Sequence, residues 1–400
     1  MPPCDATSAP PKGLAHMKVL IVVRTLKIGG MERVAVNLAD AFAEHGHESH
    51  LMYFKPRPPQ LEPSNEQVKV HHFALSRAMW TSGVGGIIEV VARLLNSVLR
   101  KSYFLLSGWW GGKLFRREVR RLERQYGTFD RIIFRGIGTF ETVWSFQDPR
   151  ACYVLENIVK TTSGHAPWLE RLKARCLFHN KHLVTVSHGV EQQIATVMQT
   201  LQVKPSSLRT ITNPCPLESI RKAMCEDFPE RPNSPYLLNV ARLVPQKNHH
   251  LLLRAYAKMR TTLPLVIVGE GPLRKELEAL AVELGIAARV TFTGRQLNPY
   301  PWMHHARLFI LSSAHEGLGI VLLEALACQT PIVSVDCPGG VRDIMTGELE
   351  AYLCEMTPEA LAARVDAILD ADGYAIDERW LERFSPAHIT TAFLQETPAS

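Results

Sequence analysis

The chain reads as an α/β protein built from two doubly wound parallel sheets that face each other across a cleft. Three observations predict this. Four hundred residues exceed what one ordinary core holds and suit two. Strand-like apolar runs alternate with helix-like amphipathic stretches through short loops in both halves. Glycines and charged residues gather in the loops that follow strands, where such sheets take their ligands. At 46% hydrophobic and 21% charged residues, the composition leaves enough apolar material for both cores.

Lys18 to Val23 (KVLIVV) is a continuous β-branched run and predicts a buried strand. A loop from Arg24 to Gly30 follows, then a helix from Met31 with Val34, Leu38, Ala41 and Phe42 on one face. Gly46-His47-Glu48 ends that helix, and Ser49 to Phe54 reads as the next strand, completing a β-α-β unit. Further strands are expected at 131–134, 151–155 and 182–186. A second alternation begins after Leu208–Ile211. Its strands are expected at 236–240, 265–268, 290–293, 308–311 and 332–335, with helices at 249–259, 273–284 and 319–327. The expected division is a disordered tail at 1–16, domains at 17–205 and 206–383, and a terminal segment at 384–400.

The first sixteen residues carry four prolines and no apolar run, so they read as neither a signal peptide nor a membrane span. Met17, just before the first strand, is an alternative start. No stretch reaches the roughly 18 apolar residues of a spanning helix. The expectation is a cytoplasmic protein, soluble or peripheral on the inner face of the plasma membrane. Eight scattered cysteines form no metal-ligand spacing, which predicts free thiols and no metal site. Net charge is only +6, but Arg93 to Arg124 holds nine Arg/Lys against Glu118 and Glu123. The rest of the chain is close to neutral, which gives no footprint for nucleic acid.

Candidate chemistry lies in the loops after strands. Gly29-Gly30 opens a helix and lets a phosphate approach free backbone N–H groups, or is a plain turn. Arg242 and Lys247 share one loop and could clamp a diphosphate, or be two solvated charges. Loops with Gly269-Glu270-Gly271-Pro272 and Gly294-Arg295-Gln296 follow two strands at the same edge, where main-chain groups could meet a flat base. Glu316 and Glu324 lie eight positions apart with only glycine and aliphatic residues between them. Gly317 and Gly319 put Glu316 at the start of a helix, and Glu324 lies two turns into it. A helix-capping Glu plus a salt-bridged Glu is the plain alternative; a cleft in which sugar hydroxyls meet Glu324 is the functional reading. Pro338-Gly339-Gly340 is one more glycine-rich helix start. Asp370-Ala371-Asp372 has the form of a metal-binding D-x-D but lies at a helix end away from these loops.

These segments resemble the retaining glycosyltransferases of family 4, which have the two-Rossmann-domain GT-B fold. The resemblance rests on LNVARLVPQKNHHLLLRAY, LVIVGEGPLRKELE, VTFTGR, LFILSSAHEGLGIVLLEALACQTPIVSVDCPGGVRDIM, PEALAARVDAIL and, in the first half, KVLIVVRTLKIGGMERVAVNLADAF. It implies an N-terminal acceptor-binding domain and a C-terminal nucleotide-sugar-binding domain. It implies that Arg242 and Lys247 bind the donor diphosphate and act in catalysis with Glu316, which lies against the transferring sugar. The backbone of Gly317, Leu318, Gly319 and Ile320 would bind sugar and phosphate, Glu324 the ribose, and Gly30, Gly269 and Gly294 would complete the donor site. The last helix would pack back on the first domain. One departure is clear: many members carry a His after a first-domain strand, whereas Asp130 to Gly136 (DRIIFRG) holds none. His188 is a tempting substitute, although an ordinary surface or core His explains it more simply.

The implied activity is transfer of a hexose, with a UDP-sugar favoured as co-substrate and no metal or other cofactor, to a glycan acceptor. Retention without an evident nucleophile implies front-face displacement. Arg116, Arg117, Arg120, Arg121 and Arg124 recur at helical spacing, preceded by Trp109 and Trp110. That pattern is expected either to contact an anionic membrane or to be a solvated helix face. The membrane reading points to a lipid-linked acceptor in lipopolysaccharide core or polysaccharide synthesis. Two rivals stand beside it: a nicotinamide-dependent oxidoreductase, which lacks its glycine fingerprint here, and a GT-B epimerase or non-catalytic sugar-binding protein.

Overall fold

The computed structural model describes residues 16–99, 102–157, 167–232 and 234–395. Residues 1–15 of the tail expected at 1–16, Arg100 and Lys101 of the basic segment, and 396–400 lie outside the described residues. The first sheet holds β1 (Lys18–Val23), β2 (Glu48–Tyr53), β3 (Lys69–His72), β4 (Arg131–Arg135), β5 (Ala151–Leu155), β6 (His182–Thr185) and β7 (Ser207–Thr210). Their order is β3-β2-β1-β4-β5-β6-β7, all parallel. The second holds β8 (Leu237–Val240), β9 (Leu265–Val268), β10 (Val290–Gly294), β11 (Leu308–Leu311), β12 (Ile332–Val335) and β13 (Leu353–Cys354). Its order is β10-β9-β8-β11-β12-β13, again all parallel.

Both sheets reverse strand order once, between β1 and β4 in the first and between β8 and β11 in the second. At such a switch point the crossovers leave to opposite faces and a crevice opens beyond the strand ends. The inner strands earn their places by composition. From Val19 to Val23, and throughout β9 and β11, side chains are almost wholly buried, as expected of parallel strands covered by helices on both faces.

The expected boundary after residue 205 is corrected. Ser207–Thr210 pairs with β6, from Ser207 beside His182 to Thr210 beside Thr185, and is the last strand of the first sheet. Its alternating, half-exposed SLRT lacks the apolar run of a central strand, which is why it reads poorly from sequence. The crossing to the second sheet therefore lies between Thr210 and Leu237. The chain returns at its end. The Pro386–Leu394 helix packs against the Gly30–Glu44 helix, and Arg131 of β4 donates to the carbonyls of Phe393 (3.3 Å) and Leu394 (3.4 Å).

Candidate active site

The Ile320–Ala327 helix explains the two glutamates. Leu322, Leu323, Ala325, Leu326 and Ala327 are fully buried, whereas Ile320, Val321 and Glu324 are only partly so. Residues 320, 321 and 324 share one helical face, and that face borders the cleft. Gly319 (φ +91) precedes the helix in the left-handed region, and no side chain caps the first turn. Glu316 lies outside the helix. Its N–H donates to the Pro338 carbonyl at 3.0 Å, and it pairs as a parallel bridge with Gly339.

The buried Glu316 carboxylate accepts from Lys247 Nζ and Ser313 Oγ, each 2.6 Å from Oε1. Lys247 follows β8 and Ser313 follows β11, so this contact spans the switch point of the second sheet. Arg242, in the same loop as Lys247, is exposed, and its guanidinium has no partner among the described residues. Gly269 and Gly294 come together, with the Gly269 N–H donating to the Gly294 carbonyl at 2.8 Å. A Cβ at Gly269 would stand 1.9 Å from the Ala241 carbonyl oxygen, so this loop must be glycine to lie against the Arg242 loop.

Glu324 is held by a residue that sequence reasoning missed. Tyr300 donates its hydroxyl to Glu324 Oε1 at 3.2 Å, and that hydroxyl accepts from Arg33 Nη1 at 3.3 Å. Arg33 lies in the Gly30–Glu44 helix of the first sheet, so the chain Arg33–Tyr300–Glu324 crosses the cleft. Burial holds the Glu324 carboxyl above the usual carboxylate range, partly offset by Arg33, Tyr300 and Lys247. The same burial, with Glu324 nearby, raises the Tyr300 phenol. No local signal marks the contact, because Tyr300 and Arg33 are 267 positions apart.

Elsewhere the two halves meet backbone to backbone. A Cβ on Gly317 would stand 1.9 Å from the Glu156 carbonyl oxygen, and one on Gly189 would stand 2.1 Å from that of Gly339. Ser187 Oγ donates to the Gly317 carbonyl at 2.6 Å. His188 is surface-exposed and contacts Asp343 Oδ1 at 2.5 Å through Nδ1, next to the Ser187 that bonds Gly317. Gly30, across the cleft, has open space around its Cα.

The expected features outside the cleft are also placed. Asp370 and Asp372 are bound by Arg260 and Arg307, respectively. Among the described residues no group of three or more His, Cys, Asp or Glu is arranged to hold a metal. In the Tyr103–Tyr126 helix, Arg116, Arg117, Arg120, Arg121 and Arg124 are exposed while Leu114, Phe115, Val119 and Leu122 are buried. Trp109 is exposed under Lys113, but the Trp110 indole N–H donates to Ser82 Oγ at 2.9 Å. Sequence reading missed the neighbouring Val84–Val98 helix, where Val84, Ile87, Val91 and Leu94 stand out to solvent beside Trp80. Among the described residues no single helix is long and apolar enough to cross a membrane.

Comparison with known proteins agrees with this arrangement. Residues 221–382 match the family model of the glycosyl transferases group 1. An N-acetylgalactosamine-N,N'-diacetylbacillosaminyl-diphospho-undecaprenol 4-alpha-N-acetylgalactosaminyltransferase of Campylobacter jejuni is 36% identical over 163 residues, 41% of this chain and 44% of that protein. The lipopolysaccharide core biosynthesis glycosyltransferase LpsE of Rhizobium meliloti is 33% identical over 171 residues, 41% of this chain and 49% of that protein. The match thus spans rather less than half the length of these curated relatives. Over nearly the whole chain the fold is that of Anabaena HepE, solved with UDP and glucose. Its TM-score is 0.65 at 17% identity, covering 94% of this chain and 98% of that one. A glycosyltransferase from Rickettsia africae gives a TM-score of 0.64 at 15% identity, covering 96% and 100%. Residues 221–382 thus resemble the group 1 glycosyl transferases, and the two parallel sheets have the GT-B fold.

Proposed function

We propose that this protein is a retaining glycosyltransferase that moves a hexose from a UDP-sugar to a lipid-linked glycan, in lipopolysaccharide core or cell-surface polysaccharide synthesis. The observation that carries the reading is the second sheet's switch point. There a free Arg242, the Lys247–Glu316 pair and an uncapped helix start meet in one crevice. On this reading Arg242 and Lys247 bind the donor diphosphate, with Lys247 shared between phosphate and Glu316. Glu316 lies against the transferring sugar, and Gly317 to Ile320 supply backbone N–H groups. Glu324 turns from Tyr300 to the ribose, the Gly269 and Gly294 loops border the base, and Gly30 admits the phosphates from the first sheet.

The chemistry follows from those charges. As the bond to the anomeric carbon breaks, negative charge grows on the departing diphosphate. Two fixed cations and a helix dipole stabilise it there more than in the bound donor, which is where a rate gain arises. The leaving phosphate, on the same face as the incoming hydroxyl, takes that hydroxyl's proton, so configuration is retained. Fixed cations fill the role a metal would otherwise take, and we propose that the enzyme works without one. The named activities of the group 1 relatives and the UDP in HepE support the donor and acceptor classes.

The acceptor side favours a membrane. Trp80, Val84, Ile87, Val91 and Leu94 form an exposed apolar stripe, and the exposed arginines follow along the adjoining Tyr103–Tyr126 helix. An apolar stripe beside basic residues suits the headgroup region of an anionic leaflet, which agrees with a cytoplasmic, peripheral enzyme. The decisive test of the donor reading is a thermal-shift panel of UDP, GDP and dTDP and their hexose conjugates. A shift with UDP alone among the nucleotides is expected, and no shift with any would refute the reading. Incubation with donor alone separates the alternative: an epimerase forms an altered diphosphate-linked sugar without any acceptor, and this transferase does not.

A further inference from the structure

The first sheet has its own switch point, and a charged cluster occupies it. Arg135 ends β4 and is fully buried. Its Nη2 donates to Asn213 Oδ1 at 2.6 Å and lies 2.6 Å from Glu156 Oε1. Among the described residues its Nε and Nη1 have no hydrogen-bond partner, and Glu156 Oε1 has none of good geometry. Buried guanidinium groups are normally met on every edge, since an unmatched N–H forfeits its water without replacement. Burial raises the Glu156 carboxyl, and Arg135 pulls it back only in part.

The cluster's neighbours give this shortfall a direction. Gly136, next in sequence, has φ +76, and a Cβ there would stand 2.3 Å from Sδ of Met31 in the Gly30–Glu44 helix. On the other side the Glu156 carbonyl oxygen lies against Gly317, next to Glu316. Arg135 and Glu156, at the ends of β4 and β5, thus lie between the first sheet's glycine turn and the second sheet's carboxylate loop. The Glu156 carbonyl and the Asn157 side chain lie against Gly317, so a small separation of the two halves there would open a path to the cluster. The cluster is neutral overall, with donors on Arg135, an acceptor on Glu156 and both kinds on Asn213. Such a set matches hydroxyl groups, which donate and accept, better than it matches a bare anion.

We propose that Arg135, Glu156 and Asn213 form a sugar-reading site, in which Arg135 donates to hydroxyl oxygens of the transferring hexose and Glu156 accepts from one. The site rests on the nucleotide-sugar reading above, and it selects the sugar rather than the nucleotide. A site built around such hydrogen bonds loses affinity sharply when they are removed, because its own groups are then stranded.

Calorimetric titration with UDP, UDP-glucose, UDP-galactose and UDP-N-acetylglucosamine tests this on the full chain. The variants are Arg135→Lys, Glu156→Gln and the double Arg135→Met/Glu156→Met, which removes both charges without stranding one. UDP affinity is expected to stay within twofold in all three. Affinity for the UDP-hexose that the wild type prefers should fall at least tenfold in Arg135→Lys and in the double variant. If both bind that UDP-hexose within twofold of wild type, the cluster is only a strut and the inference is overturned. A wild type that binds UDP but gains nothing from any hexose overturns the sugar site alone. A wild type that binds no UDP removes the nucleotide-sugar reading and this inference with it.

Discussion

Tyr300→Phe isolates the contact that closes the donor site. The Tyr300 ring is buried, so phenylalanine fills nearly the same volume, and the loss is confined to the hydroxyl's bonds with Glu324 (3.2 Å) and Arg33 (3.3 Å). Tyr300 is the sole hydrogen-bond partner of the Glu324 carboxyl among the described residues. Leaving such a group unmet costs about 1–3 kcal/mol. At about 2–4 °C per kcal/mol for a domain of this size, the melting temperature should drop by about 2–12 °C. The effect should be largest without ligand. If the ribose hydroxyls meet Glu324, saturating UDP supplies the missing donors, and the gap between variant and wild type should narrow. Differential scanning calorimetry of both proteins, with and without UDP, reads both effects. An unchanged melting temperature without ligand would mean that Glu324 does not depend on Tyr300. A gap that UDP leaves unaltered would remove the ribose from Glu324.

Four further outcomes are expected. Arg242→Ala should weaken UDP binding by about 1–3 kcal/mol at unchanged stability, whereas Lys247→Ala should do both harms, since it strands the buried Glu316; calorimetry and urea melts separate them. Burial raises the Glu324 carboxyl, so between the unfolded and folded pKa values the native state holds a proton that the unfolded chain has released. Its favourable contribution is therefore complete below the unfolded pKa and lost as pH rises through the folded one. Urea midpoints from pH 4 to 8 should show Glu324→Gln gaining on wild type as pH rises, and a constant gap would contradict the raised carboxyl. Gly317→Ala puts a methyl 1.9 Å from the Glu156 carbonyl, so the halves must part; X-ray scattering should show a larger radius of gyration than wild type. In liposome flotation the wild type should rise with anionic vesicles, whereas Ile87→Ser/Leu94→Ser and a charge reversal of the five arginines should each reduce it. Equal flotation of all three proteins would point to a soluble acceptor.

What the sequence disclosed and what it withheld divide along one physical line. β1, β9 and β11 are legible because strands buried on both faces must be apolar throughout, whatever packs on them. β3 (Lys69–His72) is largely exposed at the sheet edge, and nothing in KVHH demands a strand. The Val84–Val98 helix was passed over because its apolar residues face both the protein and the solvent. At the site, Glu316 and Lys247 stood out because each falls just beyond a legible strand. Arg33 and Tyr300 did not, since neither has a local reason to be polar.

The glycines carry the same lesson further. Gly317, Gly339 and Gly189 look alike in sequence, as turns or helix starts, yet each is required because a backbone from the other side presses where a Cβ would be. A missing side chain can be read only once its neighbour is known. Arg135 is the counterpart among side chains. The family resemblance marks its segment only by a missing histidine, and the fold shows that a buried, half-satisfied guanidinium stands in that stretch. If separation of the two halves at Gly317 admits the sugar to it, one movement joins sugar choice at β4 to leaving-group stabilisation at β8. The hinge for that movement then lies between Thr210 and Leu237 and at the return near Phe384, where the Cys215 N–H donates to the Phe384 carbonyl at 2.8 Å.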